Sequence, residues 1–167
     1  MKKLFLVAAA LMCFGFANAQ GLKYQGEVSL GFGAGVGTYN VNRVPIHTVH
    51  GVRLGENFFV GAGIGVDIFS KDGLSGTIIP IFANAKGYLP VSEKVSLLAA
   101  LDLGYGIGAG DFSSLGGLYV YPQVGCSLKV APKYALDFTV GYNSQSLSEQ
   151  GASINMGAIG FKVAFVW

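Results

Sequence analysis

The strongest constraint on this chain is a two-residue rhythm that returns along most of its length. In residues 24–37 the even positions carry Tyr24, Gly26, Val28, Leu30, Phe32, Ala34 and Val36, and the odd ones Gln25, Glu27, Ser29, Gly31, Gly33, Gly35 and Gly37. Side chains alternate between the two faces of a β-strand, so this spacing predicts a strand with one apolar face. Residues 58–69 repeat it, with Phe58, Val60, Ala62, Ile64, Val66 and Ile68 opposite Gly61, Gly63, Gly65 and Asp67. Segments 95–108, 118–130, 134–142 and 153–167 follow the same rule, with Leu98 and Ala100 as exceptions in the first of them. Two further segments are read as strands despite blurred alternation. Residues 44–54 place Thr48 and His50 on the apolar parity, and 77–89 carry apolar residues on both.

Eight such strands have to bury their apolar faces somewhere. The chain is 51% hydrophobic and only 12% charged, yet beyond the first 19 residues no stretch approaches the ~18 apolar residues of a membrane helix. A soluble eight-stranded barrel of the lipocalin or avidin type points its apolar face inward. Here the face opposite the apolar one is mainly Gly and polar groups, too little bulk to fill a core. The apolar face is therefore expected outside, which gives an all-β, eight-stranded antiparallel up-and-down transmembrane β-barrel.

The separators orient it. Gly55-Glu56-Asn57, 90–94 and 131–133 are tight turns, whereas 39–43, 70–76, 109–116 and 143–152 are mostly longer and richer in Gly, Ser, Asp and Asn. Short turns belong on the periplasmic side and longer loops outside. Tyr24, Phe58, Tyr134, Phe165 and Trp167 then line the periplasmic interface, and Tyr39, Tyr105 and Tyr142 the outer one, where aromatic rings sit at headgroup level.

The N-terminus supplies the matching address. Lys2 and Lys3, the apolar run from Leu4 to Phe16 and the small-x-small Ala17-Asn18-Ala19 make residues 1–19 a signal peptide, cut between Ala19 and Gln20, with the barrel domain over 20–167. Cys13 lies inside the apolar run after the bulky Met12, which argues against lipid attachment there. Removing 1–19 takes two of the eleven basic residues and leaves nine against nine acidic ones. That balance speaks against a nucleic-acid partner. The one remaining cysteine, Cys126, leaves no intramolecular disulfide and shares the apolar parity of Val124 and Leu128.

Parity also predicts the interior. It places one charge per strand inside, Glu27, Arg53, Asp67, Lys86, Asp102, Lys129, Asp137 and Lys162, acid and base alternating around the ring. Four of each sign fit mutual compensation in a plugged lumen better than an ion-selective pore. Inward glycines leave room for the inward rings of Phe59, Phe82, Tyr119 and Tyr121, a better account of Gly61-Ala62-Gly63-Ile64-Gly65 than a nucleotide loop, since no helix follows. Pro80 and Pro122 cannot donate to a ladder and are expected at bulges or above the hydrocarbon. His47 and His50 are three apart and face opposite sides of a strand, so they do not hold one metal together; no cofactor is expected.

Over residues 20–167 the chain resembles the small bacterial outer-membrane β-barrel family, the eight-stranded barrels of the OmpA/OmpX type. The most specific feature is the last strand, where Ile159, Phe161, Val163, Phe165 and Trp167 alternate and finish on an aromatic. This is similar to the family's signal for the barrel-assembly machinery, with Trp in place of the more usual Phe. The resemblance implies location in the outer membrane, outer-membrane lipid as surroundings, assembly machinery and periplasmic chaperones as transient partners, and a monomer with a structural or accessory envelope role. It also keeps open lipid A deacylase or acyltransferase chemistry, for which His47 or His50 with Asp72, Asp111, Ser113 or Ser114 are the candidates, although no local motif of either enzyme is present. A third possibility, adhesion or small-ligand binding, would act through the extracellular loops. The expectation is a barrel without catalysis.

Overall fold

The computed structural model describes residues 22–37, 40–71, 74–110, 116–149 and 152–167. The expected signal peptide 1–19, its cleavage point, Tyr39, Asp72, Asp111, Ser113 and Ser114 lie outside the described residues. Eight strands follow in order: β1 (Leu22–Val36), β2 (Asn42–Leu54), β3 (Phe58–Lys71), β4 (Leu74–Pro90), β5 (Val95–Ala109), β6 (Gly116–Ala131), β7 (Tyr134–Glu149) and β8 (Ala152–Val166). Each pairs antiparallel with its neighbour in sequence, and β1 pairs with β8, so the sheet closes into a barrel. Closure removes both edges, leaving no row of unpaired backbone groups facing an apolar solvent.

The barrel has two ends. The turn end carries 55–57, 91–94 and 132–133, where Gly55 takes a φ of 65° that a side chain would disfavour. The loop end carries 37–41, 72–73, 110–115 and 150–151. The stretch 143–152, expected as a loop, is mostly strand: β7 runs to Glu149 and β8 starts at Ala152. Its polar residues suit a polar interior as well as they suit a loop, and Asn143 and Gln145 are buried inside the barrel. Likewise Arg43, at the end of the expected loop 39–43, lies in β2.

Faces sort as the alternation requires. Val28, Leu30, Phe32, Ile64, Ile68, Leu101, Leu103, Val140, Ile159 and Phe161 are exposed outside the barrel. Phe59, Phe82, Tyr88, Tyr119 and Tyr121 are buried inside, in one cluster with Val49 and Leu98. These rings depend on the glycines facing them: a Cβ at Gly63 would come within 2.5 Å of the Phe82 ring. The interior thus holds more apolar bulk than its composition suggests, concentrated in a few rings.

Of the four prolines in strands, Pro90 ends β4, and the three in strand interiors each interrupt the ladder on one side. Pairing of β1 with β2 skips from Leu30↔Ile46 to Gly33↔Arg43 across Pro45. In the same way β3–β4 skips from Ile64↔Ile81 to Asp67↔Ile78 across Pro80, and β6–β7 from Val120↔Ser144 to Gln123↔Gly141 across Pro122. The register resumes unshifted each time, so Pro80 and Pro122 are not at bulges. In an antiparallel strand a residue's N–H and C=O point to the same neighbour, so a missing donor disturbs one ladder and spares the other. Pro45, Pro80 and Pro122 stay paired with Asp67, Gly106 and Leu101 on their intact sides. The shift in register lies instead between Lys129 and Ala131, at the turn end of β6.

Candidate functional site

The lumen is where this fold gathers its chemistry, and it is layered. Nearest the turn end, the half-buried Arg53 stacks over the Tyr88 ring at 4.4 Å and donates to Gln25 Oε1 at 3.2 Å and to the Glu56 carbonyl at 2.8 Å. Gln25 donates to the Tyr88 hydroxyl (3.3 Å), which donates to Asp137 Oδ2 (3.1 Å). Lys86 Nζ bonds both Asp137 Oδ2, at 3.1 Å, and Glu27 Oε2. One ammonium thus bridges two fully buried carboxylates from β1 and β7.

The next layer centres on Asp102. Its oxygens accept from Asn84 Nδ2, from Gln123 Nε2 at 2.9 Å and from Lys162 Nζ at 3.5 Å, while Thr139 donates to Gln123 Oε1 at 3.0 Å. Lys162 also lies 5.3 Å from the centre of the Tyr121 ring. Above it, His47 Nε2 meets Asp67 Oδ1 at 2.7 Å, with the imidazole edged by Phe82 and Tyr119.

At the loop end the guanidinium of Arg43 donates to Asn143 Oδ1 (2.8 Å), Gln145 Oε1 (3.2 Å) and the Met156 carbonyl (3.1 Å), and stacks on Phe69 at 4.7 Å. Phe69, Ile78 and Met156, with Val41 against them, form an apolar layer there.

Of the eight charges expected inside, Glu27, Asp67, Lys86, Asp102, Asp137 and Lys162 are buried, Arg53 is half-buried at the mouth, and Lys129 is exposed. Lys129 has the inward parity but stands at the rim, where its N–H bonds the Lys94 carbonyl at 2.8 Å. Sequence reasoning missed Arg43 and His47 as interior residues. Extending the parity of His47 and Val49 back by two steps reaches Arg43, so the signal was present and was cut off by the assumed loop boundary.

Outside, the residues of the expected assembly signal alternate outward: Ile159, Phe161, Phe165 and Trp167 are exposed and Val163 half-buried. Trp167 exchanges two backbone bonds of 3.0 Å with Gly26, and its ring covers that glycine. Rings then follow one another around the turn end, with Tyr24–His50, His50–Trp167, Trp167–Phe165 and Phe165–Tyr134 centroids 6.2, 6.1, 6.1 and 5.5 Å apart. The polar groups on this face satisfy one another. Thr48 donates to the Glu27 carbonyl at 3.0 Å, His50 Nε2 meets Thr48 Oγ1 at 3.1 Å, and the Tyr24 hydroxyl meets His50 Nδ1 at 2.6 Å. This chain lets a histidine stand on an apolar surface.

Neither histidine suits hydrolysis at the loop end. His47 is enclosed in the lumen, and His50 lies near the opposite end of the barrel. Among the described residues no group of three or more His, Cys, Asp or Glu side chains could hold a metal ion. Cys126 is a half-buried free thiol on the outer face.

A closed antiparallel meander of eight strands, apolar outside and polar within, defines the small outer-membrane β-barrel class of fold. Solved structures agree. Neisserial surface protein A is similar over 87% of this chain and 98% of its own, with a TM-score of 0.64 at 15% identity. The outer membrane enzyme PagL is similar over 83% of this chain and 97% of its own, with a TM-score of 0.53 at 10% identity. No family model matches the sequence, and no curated protein sequence does. Identities this low carry the fold alone, which hosts both catalytic and non-catalytic members.

Proposed function

We propose that this chain is an integral protein of the bacterial outer membrane with a structural or accessory role in the envelope, exported by residues 1–19 and inserted with its turn end in the periplasm. The observation that carries this reading is the inverted distribution of polarity. Large apolar side chains such as Phe32, Leu103 and Phe161 face outward, while Glu27, Lys86, Asp102 and Asp137 are sealed within. Only a bilayer around the barrel makes that arrangement favourable.

The filled lumen favours a closed barrel over a channel. Rings and ion pairs occupy successive layers from Arg53 to Phe69, leaving a selective path no obvious lining of one charge sign. Adhesion is less favoured because two of the four loop-end connections span only 72–73 and 150–151. A lipid A-modifying activity would need an outer-rim base, and the positions of His47 and His50 argue against both as candidates.

Three measurements test the proposal together. Fractionation should place the chain in the outer membrane, unboiled protein should migrate differently from boiled protein on a gel, and planar bilayers should show no stable conductance. A reproducible ion-selective current would make transport the leading reading. A change in lipid A acylation on deletion of the gene would restore the enzymatic one.

A further inference from the structure

The seams of the barrel are not joined alike. Side-chain bonds run directly between the two strands at β1–β2 (Arg53 to Gln25), β2–β3 (His47 to Asp67), β4–β5 (Asn84 to Asp102), β5–β6 (Gln123 to Asp102), β6–β7 (Thr139 to Gln123) and β7–β8 (Ser144 to Asn155). At β3–β4, Asn57 beside β3 donates to the Tyr88 carbonyl. Among the described residues no side-chain hydrogen bond or ion pair joins β1 to β8. The register gives the reason. Inside, Ser29 faces Ala164, Gly31 faces Lys162, Gly33 faces Gly160 and Gly35 faces Ala158, while outside Val28, Leu30 and Phe32 face Phe165, Val163 and Phe161. No two polar side chains meet, so this seam holds by its backbone ladder and by apolar pairs whose contacts acyl chains can replace.

What the seam has instead lies at its turn end. Trp167, one residue past β8, exchanges two backbone bonds of 3.0 Å with Gly26 on β1, and its ring lies so close that a Cβ on that glycine would come within 2.7 Å of it. The indole meets His50 on β2 edge-on, with centroids 6.1 Å apart at 73°, and His50 stacks on Tyr24 at 19°. The bond network assigns the imidazole's tautomer. The one hydroxyl proton of Thr48 goes to the Glu27 carbonyl, so Thr48 Oγ1 accepts from His50 Nε2–H, and Nδ1 accepts from the Tyr24 hydroxyl. Tyr24 thus holds His50, and His50 holds the Trp167 ring.

We propose that β1–β8 is the seam along which this barrel opens, and that Tyr24 and His50 form a latch that keeps it shut by holding Trp167 on β1. Two features put the first movement here. The seam lacks a side-chain tie of its own, and its ladder, from Glu27↔Val166 to Val36↔Gly157, is shorter than that of β7–β8. β8 keeps its ties across the lumen, Lys162 to Asp102 and the Met156 carbonyl to Arg43, so it parts from β1 at the turn end while remaining attached to the rest of the barrel. The latch follows from the closed barrel alone and is independent of which end faces the periplasm.

The test is residue-resolved hydrogen–deuterium exchange of the full mature chain refolded in detergent micelles. In the parent, the amides of Gly26, Val28, Phe165 and Trp167 should exchange faster than those of β4–β5. Tyr24→Phe keeps the ring and loses only the hydroxyl donor; it should raise exchange along β1–β8 roughly fivefold and leave β4–β5 unchanged. His50→Ala removes the support of Trp167 and should raise it further. Phe58→Leu replaces an exposed ring at the same end, on β3, and as the control should change neither seam. Trp167 is the chain's one tryptophan, so its emission reports the latch directly and in urea should shift before the compact gel band is lost. Equal exchange at the two seams in the parent, a uniform rise in all seams for Tyr24→Phe, or the same rise for Phe58→Leu overturns the proposal. A Trp167 shift that coincides with loss of the compact band overturns it as well.

Discussion

Near the turn end Lys86 is bracketed by the carboxylates of Glu27 and Asp137, whereas near the loop end Arg43 is held by three neutral acceptors, two side-chain amides and a backbone carbonyl. Both cations are buried in the same lumen. The difference follows from shape and partners. An ammonium is a compact charge that two carboxylates can approach from different strands, while the planar guanidinium fork suits several carbonyl-type acceptors and a ring to stack on. The two ends therefore depend on their cations unequally. Removing the lysine strands two anions that bond it directly, whereas removing the arginine strands three dipoles and takes from Asp67 a cation that attracts it without bonding it.

That inequality can be broken by experiment. Lys86→Met should be the most damaging single change in the barrel, costing on the order of 3–5 kcal/mol because Glu27 and Asp137 lose their common counter-charge. The urea midpoint of the heat-dependent gel shift reports it. Adding Glu27→Gln and Asp137→Asn to Lys86→Met should recover a good part of the loss, which a purely steric defect would not allow. Arg43→Met takes the guanidinium donor from the Asn143, Gln145 and Met156 oxygens and should cost less, about 1–3 kcal/mol. If Arg43→Met proves as costly as Lys86→Met, the distinction between an ionic and a dipolar end does not hold.

How far this interior could be read from the chain depended on where alternation was clean. In β1 and β3 the outward residues are mainly apolar and the inward ones mainly glycine or polar, so faces and strands were both legible. In β2 and β4 the lumen itself contributes Val49, Ile78, Phe82 and Tyr88, while Thr48 and His50 stand outside, so polarity and parity disagree. The stretch after Tyr142 failed for another reason: Asn, Ser and Gln serve a loop, a hairpin above the hydrocarbon and a polar lumen equally well. Parity also says nothing about height, which is why Lys129 was placed inside although its strand reaches the rim there. Partners were the least legible part. His47 lies across from Gly65 in the β2–β3 register, yet its bond goes diagonally to Asp67. Such choices follow from register and shear, which a two-residue rhythm does not encode.

A milder change probes the rings that separate the two ends. Gly63→Ala would press a methyl group to within 2.5 Å of the Phe82 ring, and Val49 also lies close, so the ring has to tilt against Tyr119, 5.5 Å away between centroids. The expected cost is near the lower end of about 1–3 kcal/mol, seen as a lower urea midpoint with the gel shift retained. An unchanged midpoint would mean that the rings have slack, and that the ionic layers alone fix the interior.

The smallest effect should come from the surface that both ends share. Val140 lies on the outer face of β7, paired with Val124 and Phe161, and is 47% exposed. In lipid, a side chain there exchanges contact with acyl chains for contact with acyl chains, so one added methylene alters neither burial nor any hydrogen bond. Val140→Leu should therefore shift stability by less than about 0.5 kcal/mol, in contrast with Lys86→Met at the other extreme. The comparison needs this baseline, because it separates loss of a specific partner from a general sensitivity of the barrel to substitution. Should Val140→Leu cost as much as Gly63→Ala, the outer face would be packed against something more structured than fluid lipid, and a protein neighbour along β7 would have to be sought by cross-linking.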